Sequence, residues 1–399
     1  MDRFIRAAGA LSRILAAGAA WLVSADVFAA PAGSGDQAAV AQVVEAACDK
    51  SVVILGEASH GDGHSETIKA ALVEQLVSRC GFGGVLFEAS YYEFLPIARN
   101  VRPGRPVSAE QVAAAVGGFS KSDLEMQPLF EFLARQASAG KIELGGLDFQ
   151  AGGFEQRYGN DTMILELTAG MPAARRDACR GLYRSRLLGD DPPAGMTGRE
   201  RDDALLACLA SIDPRAAGNP VAPAEKSARA AQLVNLEAWL AASGQTTPNL
   251  VRARDAMMAE NALRFIDGLP KPAKVVIWTH NGHAARHPSA LPGYGDNDNL
   301  GQALGRRFEN SLFALGITAR GGQYRWSPGI DKPVPAPLAG SLEARGGDTT
   351  AFLAQPALQA AGESFSALFG HTFQRARWGD AFDAVLVLDA EYPPHAARP

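Results

Sequence analysis

The sequence carries little net charge, few cysteines and, past its first thirty residues, no long apolar run. Its 38 Lys and Arg against 43 Asp and Glu give a formal charge of −5 and a pI near 5.9. No basic field is present to hold a nucleic acid. No stretch beyond the N-terminus reaches the roughly 18 uninterrupted apolar residues that cross a bilayer. Composition is 47% hydrophobic and 20% charged, with 42 glycines that follow no period. A disordered chain, a coiled coil and a collagen-like fibre are thereby excluded. What is left is a globular protein of one large domain or two.

The N-terminus reads as a leader. Arg3, Arg6 and Arg13 precede the apolar run Ile14–Val23, and small residues surround Ala29 just before Ala30-Pro31. A basic start, an apolar middle and an Ala-type cut site make residues 1–29 a secretory signal peptide, with the periplasm or the exterior as destination. Export makes the four cysteines, Cys48, Cys80, Cys179 and Cys208, a disulfide question. None sits beside a histidine at metal-ligand spacing, so a zinc site built on them is unexpected. A strand running out after Cys48 and a helix running back to Cys80 put both on one sheet edge, which favours Cys48–Cys80 and leaves Cys179–Cys208. Four free thiols are the alternative.

Apolar runs at 51–55, 84–88, 142–149, 274–279, 311–318 and 382–388 alternate with helical periodicity, as at 65–80 and 122–138. The expected fold is α/β, a mostly parallel layered sheet flanked by helices. Between 155 and 268 no strand is expected, only helices near 172–187, 199–211, 223–243 and 248–267. The organisation is therefore a signal peptide over 1–29, a first part of the α/β domain over 30–154, a helical insertion or cap over 155–268, and a second part over 269–399. Residues 327–348, rich in Pro and Gly, read as a long surface loop.

Five of the seven histidines fall in two short stretches that each begin where a strand ends: His60 and His64, then His280, His283 and His287. Carboxyl ends of parallel strands form the ligand crevice of such sheets, so remote segments deliver imidazoles to one edge. In Leu55-Gly56-Glu57-Ala58-Ser59-His60-Gly61-Asp62-Gly63-His64-Ser65-Glu66, an imidazole follows a carboxylate by three residues, which suits a base with an orienting partner. The N-terminus of the next helix is expected to turn its amide dipoles into the same crevice. Ser59 is not a nucleophile-elbow serine, because Gly56 lies three residues before it rather than two. Arg254, Met258 and Asn261 share one face of the helix that feeds the second histidine stretch. For Met258 that face means plain core packing.

Taken in order, these pieces resemble the erythromycin esterase family, specifically its members with Ser-His-Gly-Asp-Gly after the first strand. The matching segments are Leu55–Gly63, Gly81-Phe82 leading to Phe87-Glu88, Pro128–Phe130, Leu144–Gln150, Arg254–Asn261 and Trp278–His283. The resemblance implies hydrolysis of an ester or lactone without metal, cofactor or covalent acyl intermediate, on a small-molecule substrate. By it His60 is the general base for water, and Glu57 and Glu88 orient it and hold its charge. His280 and His283, with Arg254 as a substrate-binding residue, stabilise the oxyanion or position substrate. Macrolide esterases carry a glutamate soon after the motif histidine on a shorter loop, so macrolide specificity does not follow. On the longer loop here Asp62, His64 and Glu66 are expected at the pocket rim.

Two other readings stay open on these residues. His60, His64, His280 and His283 with Glu57 could ligate zinc or another divalent ion, although no His-Glu-x-x-His helix is present. A non-catalytic periplasmic protein could use the same histidines to hold a ligand such as haem.

Overall fold

Val52 and Ile54 pack to one side of their strand while Val53 and Leu55 pack to the other, the alternation of a strand buried on both faces. A computed structural model describes residues 34–101, 105–118, 120–152, 158–189, 195–212, 223–242, 245–288 and 298–396. The leader expected over 1–29 lies outside them, and Ala32–Pro399 forms one unit by itself.

In chain order the elements begin with α1 (Ser34–Ala47), β1 (Val52–Leu55), α2 (Gly63–Cys80), β2 (Gly84–Ser90), α3 (Leu95–Val101), α4 (Ala109–Val116), α5 (Gln127–Ser138) and β3 (Glu143–Asp148). Helices α6 (Met163–Leu167), α7 (Ala173–Leu188), α8 (Gly198–Ala210), α9 (Pro223–Ala242) and α10 (Thr247–Gly268) follow. Then come β4 (Val275–Trp278), α11 (Asn281–Ala284), α12 (Leu300–Phe308), β5 (Leu312–Ala319), β6 (Gln323–Ser327), β7 (Ile330–Pro333) and β8 (Ala351–Ala354). The chain closes with α13 (Gln355–Ala361), β9 (Glu363–Phe369), β10 (Thr372–Arg377), α14 (Trp378–Ala381) and β11 (Ala384–Leu388).

The central sheet has the order β3-β2-β4-β1-β5-β11-β8. All its pairings are parallel except β11 with β8. The α/β architecture thus matches the expectation, and all six anticipated strands lie in this sheet. The antiparallel edge β8 and two hairpins, β6–β7 and β9–β10, have no counterpart in the sequence reading. One of them corrects it: β7 falls inside the stretch expected to be loop over 327–348. Its exposed, short strand gives no apolar run to read.

One face of the sheet packs Val53, Leu55, Phe87 and Trp278 against α1, α2, α4 and α5. The other packs Val52, Ile54, Leu86 and Ile277 against Met258 of α10, α12 and α14. Helices α6 to α10 add a separate cluster around Tyr183, Leu236 and Trp239. Two cysteine pairs stand at disulfide distance, Cys48–Cys80 with Cα atoms 5.2 Å apart and Cys179–Cys208 at 6.0 Å.

Candidate active site

Leu55 and Phe87 both pair with Trp278 across the sheet, so β1 and β4 end level with one another and β2 runs three residues further. Side chains just beyond those ends meet at one crevice, the place where open α/β sheets bind ligands. Ala58, Ser59, His60, Gly61, Glu88, Arg254, His280, His283, Arg325, Trp326 and Gly370 line a cleft of about 380 Å³ there. The two remote histidine segments therefore meet: the ring centroids of His60 and His280 are 5.7 Å apart.

His60 Nδ1 donates to Glu57 Oε1 at 2.7 Å, which leaves Nε2 as the unprotonated nitrogen of the neutral ring, 3.8 Å from Glu88 Oε1. The His60 side chain is half exposed at 54%, while Glu57 and Glu88 are buried. Burial opposes the imidazolium, but the hydrogen bond to Glu57 and the fields of Glu88 and Glu57 outweigh it, and the His60 pKa is raised. Glu57 is also held from behind by a cation: Lys69 Nζ donates to its Oε2 at 2.6 Å and to the Thr279 carbonyl at 3.2 Å. Burial pulls Glu57 upward, yet Lys69 and His60 together lower its pKa.

Glu88 is the hub. It accepts from Arg254 Nη2 at 2.7 Å, from the Thr279 hydroxyl at 2.6 Å and from the His280 backbone N–H at 2.8 Å. His283 Nε2 is 3.3 Å from Glu88 Oε1, and His283 Nδ1 donates to Asp255 at 2.7 Å. Burial disfavours charge on His283, but Glu88 and Asp255 prevail and push it up to about 10, so it is a cation. Its Nε2 also stands 3.1 Å from Arg254 Nη1, and the two side chains share Glu88. Arg254 Nε also donates to Asp148 at 2.9 Å. Against burial, His283, His60 and Arg254 hold Glu88 well below the usual carboxylate range.

The charges can be set against each other. Carboxylates come from Glu57, Glu88, Asp148 and Asp255, and standing cations from Lys69, Arg254 and His283. His60, half exposed beside them, is the group placed to take up a proton from solvent. Against desolvation, the hydrogen bond to Glu57 and the fields of Glu88 and Glu57 are what raise its pKa.

His280 behaves differently. Its Nδ1 accepts from the Gly282 N–H at 3.0 Å, capping α11, so Nε2 carries the proton and donates to the Ala58 carbonyl at 2.7 Å. Burial, with His60 nearby, lowers its pKa to about 4. The ring is neutral and both nitrogens are spent on backbone. Its geometry holds the β1–α2 loop rather than presenting a donor to the cleft.

That loop is clamped from several sides. Ala58 O also accepts from Gly370 N at 2.9 Å, and Gly61 O accepts from Arg325 N at 2.9 Å. A Cβ at position 61 would collide with the Arg325 carbonyl, which is why glycine is needed there.

The expected rim residues are corrected by the structure. Asp62 turns inward, accepting from Ser59 N at 2.8 Å and pairing with His371 Nε2 at 2.8 Å, both side chains fully buried. His64 lies outside the cleft, between Asp36 at 3.1 Å and the Ala390 carbonyl at 2.7 Å, stacked on Tyr392. Glu66 is buried against Ser120. The amides opening α2 are likewise used: Gly63 N bonds Tyr392 O at 2.8 Å and His64 N bonds Glu391 at 3.1 Å. They do not face the cleft as expected. His287 is exposed and away from it. A four-histidine metal set is therefore not assembled, since His64 is elsewhere and the nitrogens of His280 are occupied.

Several site residues escaped the sequence reading. Lys69 sits in the apolar stripe of α2 beside Ile68 and Leu72, and a lysine in such a stripe is itself a signal. Asp255 is hidden by its neighbour Arg254, and His371, with φ 51°, lies in a hairpin with no apolar pattern. Met258 is core, as expected, and Asn261 bonds Asn235 and the Leu147 carbonyl.

A mostly parallel sheet with a cleft of imidazoles and carboxylates at its carboxyl edge defines an α/β protein with a candidate active site. The erythromycin esterase profile matches residues 77–390, and the chain belongs to that family. A comparison with curated proteins finds no match. Among solved structures, a Bacillus cereus protein is similar with a TM-score of 0.70 at 18% identity, covering 92% of this chain and 95% of that one. A succinoglycan biosynthesis protein gives 0.67 at 16% identity over 89% and 91%. A histidine-to-asparagine mutant of the erythromycin esterase EreC, in its open conformation, gives 0.63 at 16% over 89% and 94%. At such identities the likeness is one of fold. Among the described residues no helix is long and apolar enough to cross a membrane.

Proposed function

We propose that this chain is an exported hydrolase that cleaves an ester or lactone of a small molecule by general-base activation of water at His60, without a metal. One observation carries the reading: His60 Nδ1 is held by Glu57, while Nε2 opens on a cleft lined by Glu88, Arg254 and His283. Water attacking the carbonyl carbon gives its proton to Nε2, and the imidazolium is stabilised by Glu57 and Glu88. Arg254 and protonated His283 lie on the same cleft and supply positive field for the tetrahedral oxyanion. Collapse breaks the C–O bond, and the proton passes from His60 to the leaving alkoxide. His280 acts as a positioning residue through Ala58. Metal independence is favoured by the donor set, because Glu88 is saturated with cationic and N–H donors where an ion would need it. Export is favoured by the basic-then-apolar N-terminus and by two cysteine pairs at bonding distance.

Purified mature protein screened against ester, lactone and peptide panels, beside H60A, tests the reading. Turnover that survives dialysis against EDTA and is lost in H60A is expected. Full activity in H60A would overturn the base assignment, and loss on EDTA treatment with recovery on added zinc would overturn metal independence.

A further inference from the structure

The cleft has one wall that the hydrolytic network does not use. Trp326, on the β6–β7 hairpin, lines the cleft and is still 55% exposed. A large indole left open is notable here because it stands among the groups that would meet a substrate. Lys332 of β7 places its ammonium 3.7 Å from the ring centroid, a cation–π contact that orders the indole. The hairpin is fixed relative to the chemistry: Arg325 N donates to Gly61 O, next to His60, and the Gly61 backbone is pressed against the Arg325 carbonyl. The backbone that carries the ring is thereby fixed relative to His60, and Lys332 orders the indole on it.

Charge at this mouth is unequal. Arg325 is paired with Asp331 at 2.7 Å, whereas Lys332 is in no ion pair among the described residues. The geometry points to Trp326 as the platform for a flat aromatic ring of the substrate, stacked on the indole face that Lys332 leaves open, and to the Lys332 ammonium as the charge that draws an anionic ring substituent to the indole's edge. The substrate class is then an ester of an anionic aromatic acid. An aromatic ring offers Trp326 an offset face and loses little conformational freedom on binding. This rests on the hydrolase reading above.

Methyl benzoate, monomethyl terephthalate and ethyl acetate distinguish ring, charge and bare ester, and terephthalate tests binding without turnover. In W326A the ratio of kcat/KM for methyl benzoate over ethyl acetate is expected to fall about tenfold, the scale of one aromatic contact. W326F should restore most of it. K332Q should reduce the preference for monomethyl terephthalate over methyl benzoate by about fivefold. F365S, an exposed aromatic on β9 outside the cleft, serves as the control and should leave both ratios unchanged. By calorimetry, terephthalate should bind the wild type and bind W326A about tenfold more weakly.

Hydrolysis of the esters with the same ratios in W326A, or no terephthalate binding to the wild type, overturns the platform and leaves the hydrolase reading standing. Trp326-dependent terephthalate binding with no ester cleaved supports the platform and overturns hydrolysis.

Discussion

Lys69 Nζ and Glu57 Oε2 lie 2.6 Å apart in full burial, with the ammonium also 4.2 Å from the centre of the Trp278 ring. The pair sits directly behind His60, so the charge of the base's partner is set from inside the core.

Replacing Lys69 by Met leaves Glu57 buried without that cation. A loss of about 3–5 kcal/mol in stability is expected from urea unfolding, the usual result of breaking a buried pair from one side. The second readout is kinetic. Lys69 pushes the His60 pKa down, so in K69M the acid limb of the rate profile should move to higher pH. An unmoved limb would detach Lys69 from the base.

A base must be neutral to accept a proton. Because the His60 pKa is raised above 6.5, kcat/KM should fall as pH drops through a midpoint above 6.5. E57Q removes the charge that helps raise it, so its midpoint should lie lower than in the wild type. Its rate should also fall by about 10²-fold or more. A flat profile from pH 5 to 9 contradicts the mechanism.

His64 is expected to show itself in stability rather than turnover. Although burial works against it, Asp36, the Ala390 carbonyl and Glu391 raise its folded pKa to about 9, against 6.5 unfolded. A group bound more tightly to its proton in the folded state stabilises fully below 6.5, and that contribution is lost as pH rises towards 9. Its size is on the order of 3 kcal/mol. Denaturation midpoints of H64Q should therefore converge on the wild type's between pH 6.5 and 9. Parallel curves over that window refute the assignment.

The buried Asp62–His371 pair anchors the β1–α2 loop to the β9–β10 turn. His371 sits at φ 51°, a conformation that asparagine tolerates better than most residues. H371N keeps the backbone but loses the imidazole reach to Asp62, and D62N loses the charge. Each should cost about 2–4 kcal/mol by thermal or urea unfolding. Together they should be far less than additive, since one contact is removed by either. Strict additivity in the double variant would show that the two do not interact.

Much of this molecule is legible from residue order. Strands β1, β2, β3, β4, β5 and β11 announce themselves as short apolar runs because burial on both faces demands them. The positions of Glu57, His60 and His280 beyond strand ends, and of Glu88 near the end of β2, follow from the same pattern. Helices α7 to α10 are readable from their periodicity. Hairpin β6–β7 is not, because its strands are short and exposed.

What residue order leaves undecided is which of several similar side chains turn into the cleft. His60 and His64 are four residues apart, yet the loop ends between them and α2 begins at Gly63, swinging His64 away to Asp36 while His60 faces Glu88. His280 and His283 share one short turn, but a cap bond and a carbonyl make the first neutral, while two carboxylates make the second a cation. Sequence fixed the inventory of groups and the sheet edge where they gather. Direction, tautomer and charge depend on partners such as Ala58 O, Asp255 and Lys69, which only packing across the sheet brings within bonding distance.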